Sequence, residues 1–379
     1  MKIFYCISRM YNSGGMQRVC ANKANYFSEK FYYDIYIITT EGKNRGSFYK
    51  LNEKVKLIEL DINYLEYRKK NFFFRIFFYY FKKKKHIEKL KKILKDNKPD
   101  ILITMGGYES SFISKLKENK IKIIGEFHFS KYFRELSLKE ITIIDKLKLF
   151  RNKLTEKMVV KKCDEFIILT EEDREQWNNP RIKVIPNSLS FYPSEVSKCE
   201  NKKIISVGRL EYQKGYDILI EIWKKVFEKH RDWILEIYGE GSLRKELEEK
   251  IKRLGLKNSL LLKGAVSNIQ ERYLESSIYV MTSRYEGLGM VLIEAMACGL
   301  PLVSFDCPCG PKDVITDKED GYICKFGNIE EMAKKICDLI ENEEKRKKFG
   351  KKARENSLRY EESKIMNQWK NLFENLIEK

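Results

Sequence analysis

Two glutamates eight residues apart bracket a glycine-rich turn and a helix start in Tyr285-Glu286-Gly287-Leu288-Gly289-Met290-Val291-Leu292-Ile293-Glu294-Ala295-Met296-Ala297-Cys298-Gly299. The stretch follows a predicted strand and opens a predicted helix near Leu288. Unpaired backbone N–H groups at such a start bind phosphate, and the helix dipole adds to the attraction. Gly287 and Gly289 let a ligand approach the backbone closely. Glu286 precedes the helix and Glu294 lies about two turns into it, so one carboxylate can meet a sugar while the other accepts hydrogen bonds from a ribose. Either glutamate alone reads as a helix-terminal or solvated carboxylate; the whole stretch argues for a site.

A second loop, Val207-Gly208-Arg209-Leu210-Glu211-Tyr212-Gln213-Lys214-Gly215, also follows a predicted strand and precedes a helix. Arg209 offers a fork and Lys214 a point charge, a pair that fits a diphosphate. With 74 Lys and Arg in the chain, two solvated cations would be as good a reading of this loop by itself. Tyr238-Gly239-Glu240-Gly241 and Leu262-Lys263-Gly264-Ala265-Val266 repeat the placement at the next two strands. A lone Gly-x-Gly often marks only a tight turn. Four such loops at strand carboxyl ends, where open α/β sheets bind ligands, are a stronger signal.

These loops need a scaffold, and the chain supplies one twice. Strands are predicted at 2–7, 34–39, 100–104, 122–127, 165–169 and 183–185. A second series follows at 203–207, 233–238, 259–262, 278–282, 302–305 and 321–324. Amphipathic segments lie between most of them. Such alternation implies parallel sheets covered by helices. At 379 residues the chain is too long for one ordinary core. The expected architecture is α/β: two Rossmann-like domains facing each other across a cleft, at 1–187 and 203–358, with 188–202 as linker. The final segment carries Ile365, Trp369, Leu372, Phe373 and Leu376 at helical spacing, a stripe that must cover a surface.

The formal charge of +19 favours anionic partners. A lysine-rich coding bias gives the same balance, so charge alone selects none. No RNP-like pattern accompanies it, and nucleic acid is not expected as a partner. Nine cysteines without framework spacing point to reduced thiols. Cys307-Pro308-Cys309 lacks a second ligand pair at zinc-site spacing, so no metal is expected. The first residues read as neither signal peptide nor membrane span.

Taken together, the motifs resemble glycosyltransferase family 4, whose members have the two-domain GT-B fold and include enzymes of bacterial surface polysaccharides. The resemblance is specific from Ile204 to about Met332. It is weaker through Ser13-Gly14-Gly15-Met16-Gln17-Arg18-Val19 and Val184-Ile185-Pro186-Asn187. The Glu286/Glu294 spacing matches the family's paired glutamates.

The resemblance implies a retaining transfer of a hexose or N-acetylhexosamine from a nucleotide diphosphate sugar, a UDP-sugar, to a hydroxyl of a lipid-linked glycan. No cofactor is expected. Arg209 and Lys214 would neutralise the diphosphate, and Glu294 would bind the ribose. Glu286 with the backbone of Gly287, Leu288 and Gly289 would hold the sugar and nearby phosphate. Gly239 would belong to the donor site, and the segment Lys263 to Val266, with Gly264, would border the base. Gly14 and Gly15 would form a loop facing the donor, and segment 361–379 would cross back onto the first domain.

His128, in Gly125-Glu126-Phe127-His128-Phe129-Ser130, stands where the family often places a histidine beside the reacting sugar. A strand-capping histidine is the competing reading, and Glu126 carries a weaker claim. His86 and His230 receive no role. Two rivals remain: a nucleotide-sugar epimerase on the same architecture, and a catalytically idle partner subunit. The intact Arg209, Lys214, Glu286 and Glu294 set argues against the second.

Asn71 to Lys85 places aromatics ahead of Lys82, Lys83, Lys84 and Lys85. Rings at a headgroup boundary with ammonium groups on anionic lipid would suit it. The expected location is cytoplasmic, peripheral on the inner face of the cell membrane. A buried aromatic helix with a solvated basic end is the alternative.

Overall fold

Short apolar runs separated by amphipathic segments fold into two parallel sheets. The structure, a computed structural model, describes residues 1–67, 71–116, 121–138, 142–179 and 181–378. The first sheet holds β1 (Lys2–Ile7), β2 (Asp34–Thr39), β3 (Lys56–Glu59), β4 (Ile101–Thr104), β5 (Lys122–Glu126), β6 (Glu165–Ile168) and β7 (Ile182–Val184). Their order is β3-β2-β1-β4-β5-β6-β7. The second holds β8 (Lys203–Val207), β9 (Ile234–Tyr238), β10 (Leu260–Gly264), β11 (Ile278–Met281), β12 (Leu302–Phe305) and β13 (Gly321–Cys324), in the order β10-β9-β8-β11-β12-β13. All strand pairings in both sheets are parallel, and in each the strand order reverses beside the first strand. The switch points fall between β1 and β4 and between β8 and β11, and each opens a crevice at the strand carboxyl ends.

The helices flanking the first sheet are α1 (Gly15–Lys30), α2 (Phe72–Asn97), α3 (Phe133–Leu136), α4 (Ile143–Lys162) and α5 (Glu171–Trp177). Those of the second part are α6 (Tyr216–Lys229), α7 (Arg244–Arg253), α8 (Ile269–Leu274), α9 (Met290–Ala297), α10 (Pro311–Val314), α11 (Ile329–Glu341) and α12 (Glu343–Ser357). The last, α13 (Glu362–Glu378), packs on the first sheet's core. Its Trp369 is 1% exposed, and its Phe373 ring lies 5.2 Å from Phe27 of α1.

Helices cover both faces of the central strands, so β4, β11 and β12 are continuous apolar or fully buried runs rather than alternating ones. Strand β3 was not among the expected strands. It is an edge strand with no buried residue, so burial leaves little pattern in Lys56-Leu57-Ile58-Glu59. The helix expected near Leu288 begins at Met290, because Gly289 at φ +79 is its N-cap.

The lysine run after the aromatics is only partly a solvated face. Lys82 is buried and pairs with Glu66 at 2.9 Å, while Lys83 is half-buried against the Phe112 and Tyr79 rings. Lys84 and Lys85 are exposed, as are Phe74, Phe77 and Phe81. The side chains of Phe72, Phe73 and Ile76 lie outside the described residues.

Candidate active site in the cleft

The second sheet's switch point joins the two loops that the sequence singled out. The turn after β8 carries Gly208 to Gly215, and the turn after β11 carries Thr282 to Gly289. Arg284 braces them. It forks onto Asp217 at 2.8 and 2.6 Å, donates to the Tyr212 carbonyl at 2.7 Å and lies 4.0 Å over the Tyr212 ring. Gly215, at φ +65, lets the loops touch, since a Cβ there would fall 2.1 Å from the Thr282 carbonyl oxygen.

Within this frame Lys214 Nζ donates to Glu286 Oε1 at 2.7 Å, and Ser283 Oγ donates to the same oxygen at 2.6 Å. The expected diphosphate cation is therefore held by the expected sugar carboxylate. Arg209 is exposed and donates to Gln213 Oε1 at 3.2 Å, while Gln213 Nε2 holds the Tyr285 carbonyl at 3.0 Å. Beyond Gly289 the start of α9 presents backbone N–H groups as helix starts do, although the Leu292 N–H already donates to the Gly289 carbonyl at 2.8 Å. Gly239 approaches the same turn, because a Cβ there would meet the Gly208 carbonyl oxygen at 2.0 Å. Gly264 ends β10, and Val266 is exposed just beyond it.

Glu294 is 1% exposed. Tyr273 Oη donates to its Oε2 at 3.3 Å, and Arg18 of α1 lies 3.3 Å from its Oε1 without making a hydrogen bond to it. Burial pushes the carboxyl above its ordinary value, with Arg18 opposing. Ser190 and Tyr273 also hold the carboxyl, and its Oε1, facing the Arg18 charge off hydrogen-bonding line, can take a further donor from a ligand.

The first sheet closes the cleft from the other side. Gly14 caps α1, which delivers Arg18 to Glu294, and Gly15 opens the helix. Gly287 and His128 are in contact across the halves: a Cβ on Gly287 would sit 2.2 Å from the His128 carbonyl oxygen. His128 Nε2 lies 3.1 Å from Glu126 Oε1, off hydrogen-bonding line. Glu126 in turn accepts two 2.8 Å bonds from buried Lys23. Burial alone would raise the Glu126 carboxyl, but Lys23 and His128 outweigh it and hold it at about 2.

Beside His128 opens a cavity of about 350 Å³, whose walls include Gly107, Tyr108, Phe129, Asn152 and Glu156. Its aromatic faces and polar groups suit a sugar ring. His86 is remote from this chemistry: it contacts Tyr64 and Phe112, and burial lowers it to about 4. Among the described residues, His230, Cys337 and Glu341 form the one group with metal-ligand spacing, at the ends of α6 and α11.

Sequence reasoning missed Arg18, Lys23, Gln213, Tyr273 and the Arg284–Asp217 brace. Arg18 and Lys23 sit on a helix far in sequence from the carboxylates they meet. The spacing of Arg18 from Gly14-Gly15 was the available signal.

Residues 192–356 match the family described as Glycosyl transferases group 1. The chain is 32% identical over 378 residues to an uncharacterized glycosyltransferase of Haemophilus influenzae, covering 98% of this chain and 99% of that one. It is 27% identical over 380 residues, 97% of each, to an α-1,4-N-acetyl-D-galactosaminyltransferase of Campylobacter jejuni named for a PP-undecaprenol-linked acceptor. Among solved structures, the pneumococcal O-GlcNAc transferase GtfA, crystallised with UDP and GlcNAc, superposes with a TM-score of 0.76 at 17% identity. That match covers 100% of this chain and 99% of GtfA.

Proposed function

Because this chain belongs to the group 1 glycosyl transferases, we propose that its cleft moves a hexose or N-acetylhexosamine from a UDP-sugar to a hydroxyl of a lipid-linked surface glycan, with retention. The observation that carries this reading is Glu294: buried, facing Arg18 through an Oε1 that makes no in-line hydrogen bond, and placed where α1 and α9 converge. It fits the hydroxyls of a ribose. The start of α9 and the cations Arg209 and Lys214 fit the diphosphate.

Glu286 is engaged by Lys214 and Ser283, which suits holding the donor sugar better than attacking it. The chemistry is then a same-face displacement. The bond from the anomeric carbon to the diphosphate oxygen breaks as the acceptor oxygen bonds to the same face. The acceptor's proton passes to the departing diphosphate. His128 lines the acceptor side beside the aromatic cavity, and the protein supplies positioning and charge stabilisation.

Arg209→Ala and Glu294→Ala should each weaken UDP binding by about 1.5–3 kcal/mol, the worth of a charge-assisted hydrogen bond. Calorimetric titration with UDP and GDP measures this, and undiminished affinity in both variants would refute the donor site. Turnover of the donor without any acceptor would instead support the epimerase reading.

With Arg209, Lys214 and a helix start available, phosphate charge needs no divalent ion. Transfer should therefore persist in excess EDTA. Loss of activity restored by magnesium or manganese would overturn this.

The acceptor's lipid would bring the protein to a membrane surface. Exposed Phe74, Phe77 and Phe81 with Lys84 and Lys85 support α2 as a contact. No described helix is long and apolar enough to cross a membrane.

A further inference from the structure

Helix α4 is turned inside out. Its Asn152, Thr155 and Glu156 line the cavity beside His128, while Val159 and Val160 anchor it in the core. The opposite face carries Ile143, Leu147, Phe150 and Leu154, which are 79%, 63%, 62% and 52% exposed. At 100° per residue these four fall within about 60° of one another. Single exposed apolar residues are ordinary, but a continuous stripe along three turns marks a contact surface. The inward face is fixed by buried valines and the cavity, so the stripe is not core awaiting a small rotation.

Charge identifies what covers the stripe. Helix α4 carries seven Lys and Arg against Asp145 and Glu156. Lys148 pairs with Asp145 and Lys153 with Glu135. Lys146, Arg151 and Lys157, which flank the stripe on its two sides, have no acidic partner among the described residues. An apolar stripe edged by unpaired cations complements an apolar layer edged by phosphates. A protein partner would need carboxylates on both sides of an apolar groove, and a second copy would set these like charges against each other.

We infer that α4 is a membrane-docking helix that lies on anionic bilayers through Ile143, Leu147, Phe150 and Leu154. The inference rests on the lipid-linked acceptor proposed above and adds a second element to α2. Tyr79 of α2 and Asn152 of α4 line the same cavity, so the two helices would bring the lipid surface to the acceptor site. A lipid-linked sugar could then enter while its chain stays in the membrane.

The test is co-sedimentation of the full chain with phosphatidylglycerol/phosphatidylcholine vesicles and with pure phosphatidylcholine vesicles, at low and high salt. Three variants are compared with wild type: Leu147→Ser/Phe150→Ser/Leu154→Ser, Lys146→Glu/Arg151→Glu/Lys157→Glu, and Phe74→Ser/Phe77→Ser/Phe81→Ser. Every changed residue is exposed, so thermal unfolding should match wild type. Wild type should bind the anionic vesicles at low salt, and both α4 variants should bind at least about tenfold less. Their turnover of a short water-soluble acceptor should be unchanged. If wild type binds and the α4 variants bind equally well while the α2 variant does not, α4 is refuted and the membrane reading stands. If wild type ignores anionic vesicles, both fall. If wild type sediments as a dimer that the serine variant dissolves, the stripe belongs to a second copy and the inference is overturned.

Discussion

Glu286→Gln should lower kcat about 10²–10³-fold, a loss of the size seen when one preorganised polar group is removed from a reacting centre, while UDP binds as tightly as before or more tightly. The Glu286 carboxylate is 6% exposed and takes Lys214 and Ser283 on one oxygen, which leaves Oε2 for a sugar hydroxyl. Glutamine keeps the shape and removes the charge. Lys214, 13% exposed at its side chain, then loses its counter-ion and becomes a freer cation for the diphosphate. A defect of general folding would weaken both steps, whereas this pattern separates them. Steady-state kinetics with calorimetric UDP titration reads the two quantities. An unchanged kcat would remove Glu286 from the chemistry, and a parallel loss of UDP affinity would make it a scaffold for Lys214 only.

That pairing shows what could be read from the sequence and what could not. The Arg209/Lys214 loop and the Glu286…Glu294 stretch announce themselves because each is local: a strand, a glycine-rich turn and a helix within about fifteen residues. The parallel sheets were legible for the same reason, since strand and helix periods alternate along the chain. The contacts between the halves were not. Arg18 reaches Glu294, and Gly287 rests on the His128 carbonyl, but no periodicity links residues so distant in sequence. Glu286 and Lys214 were each assigned to the ligand, while the structure also assigns them to each other.

The lysine run was legible only in part. Four consecutive residues on a helix point in four directions, so Lys82 turned inward to Glu66 while Lys84 and Lys85 faced out. A composition argument treats them as one patch. The stripe on α4 escaped notice for the converse reason: Ile143, Leu147, Phe150 and Leu154 have the spacing of an ordinary core face, and only the structure shows that this face points outward.

The largest loss of stability is expected at Lys23 and Glu126. Lys23 sits on α1 and Glu126 ends β5, both wholly inside, with the Lys23 ammonium 3.3 Å from the centre of the Trp369 ring of α13. Burial lowers Lys23 from its ordinary value despite Glu126, while Lys23 helps hold Glu126 at about 2. The opposite consequences for the two charges mean that the intact pair adds little net stability. Removing one partner is another matter, because it strands the other charge. Lys23→Met and Glu126→Gln should each cost about 3–5 kcal/mol, and the double variant much less than their sum. Activity should not follow stability. Glu126 is the carboxylate beside His128 Nε2, so the double variant should refold well and still turn over slowly, with UDP affinity intact because the donor residues are untouched. Chemical denaturation of the four proteins gives the coupling energy, and kinetics on the double variant gives the rest. Recovered kcat in the double variant would reduce the pair to a structural bolt between α1, β5 and α13. Slow turnover in a stable double variant would show that Glu126 acts through His128 on the acceptor side of the cleft.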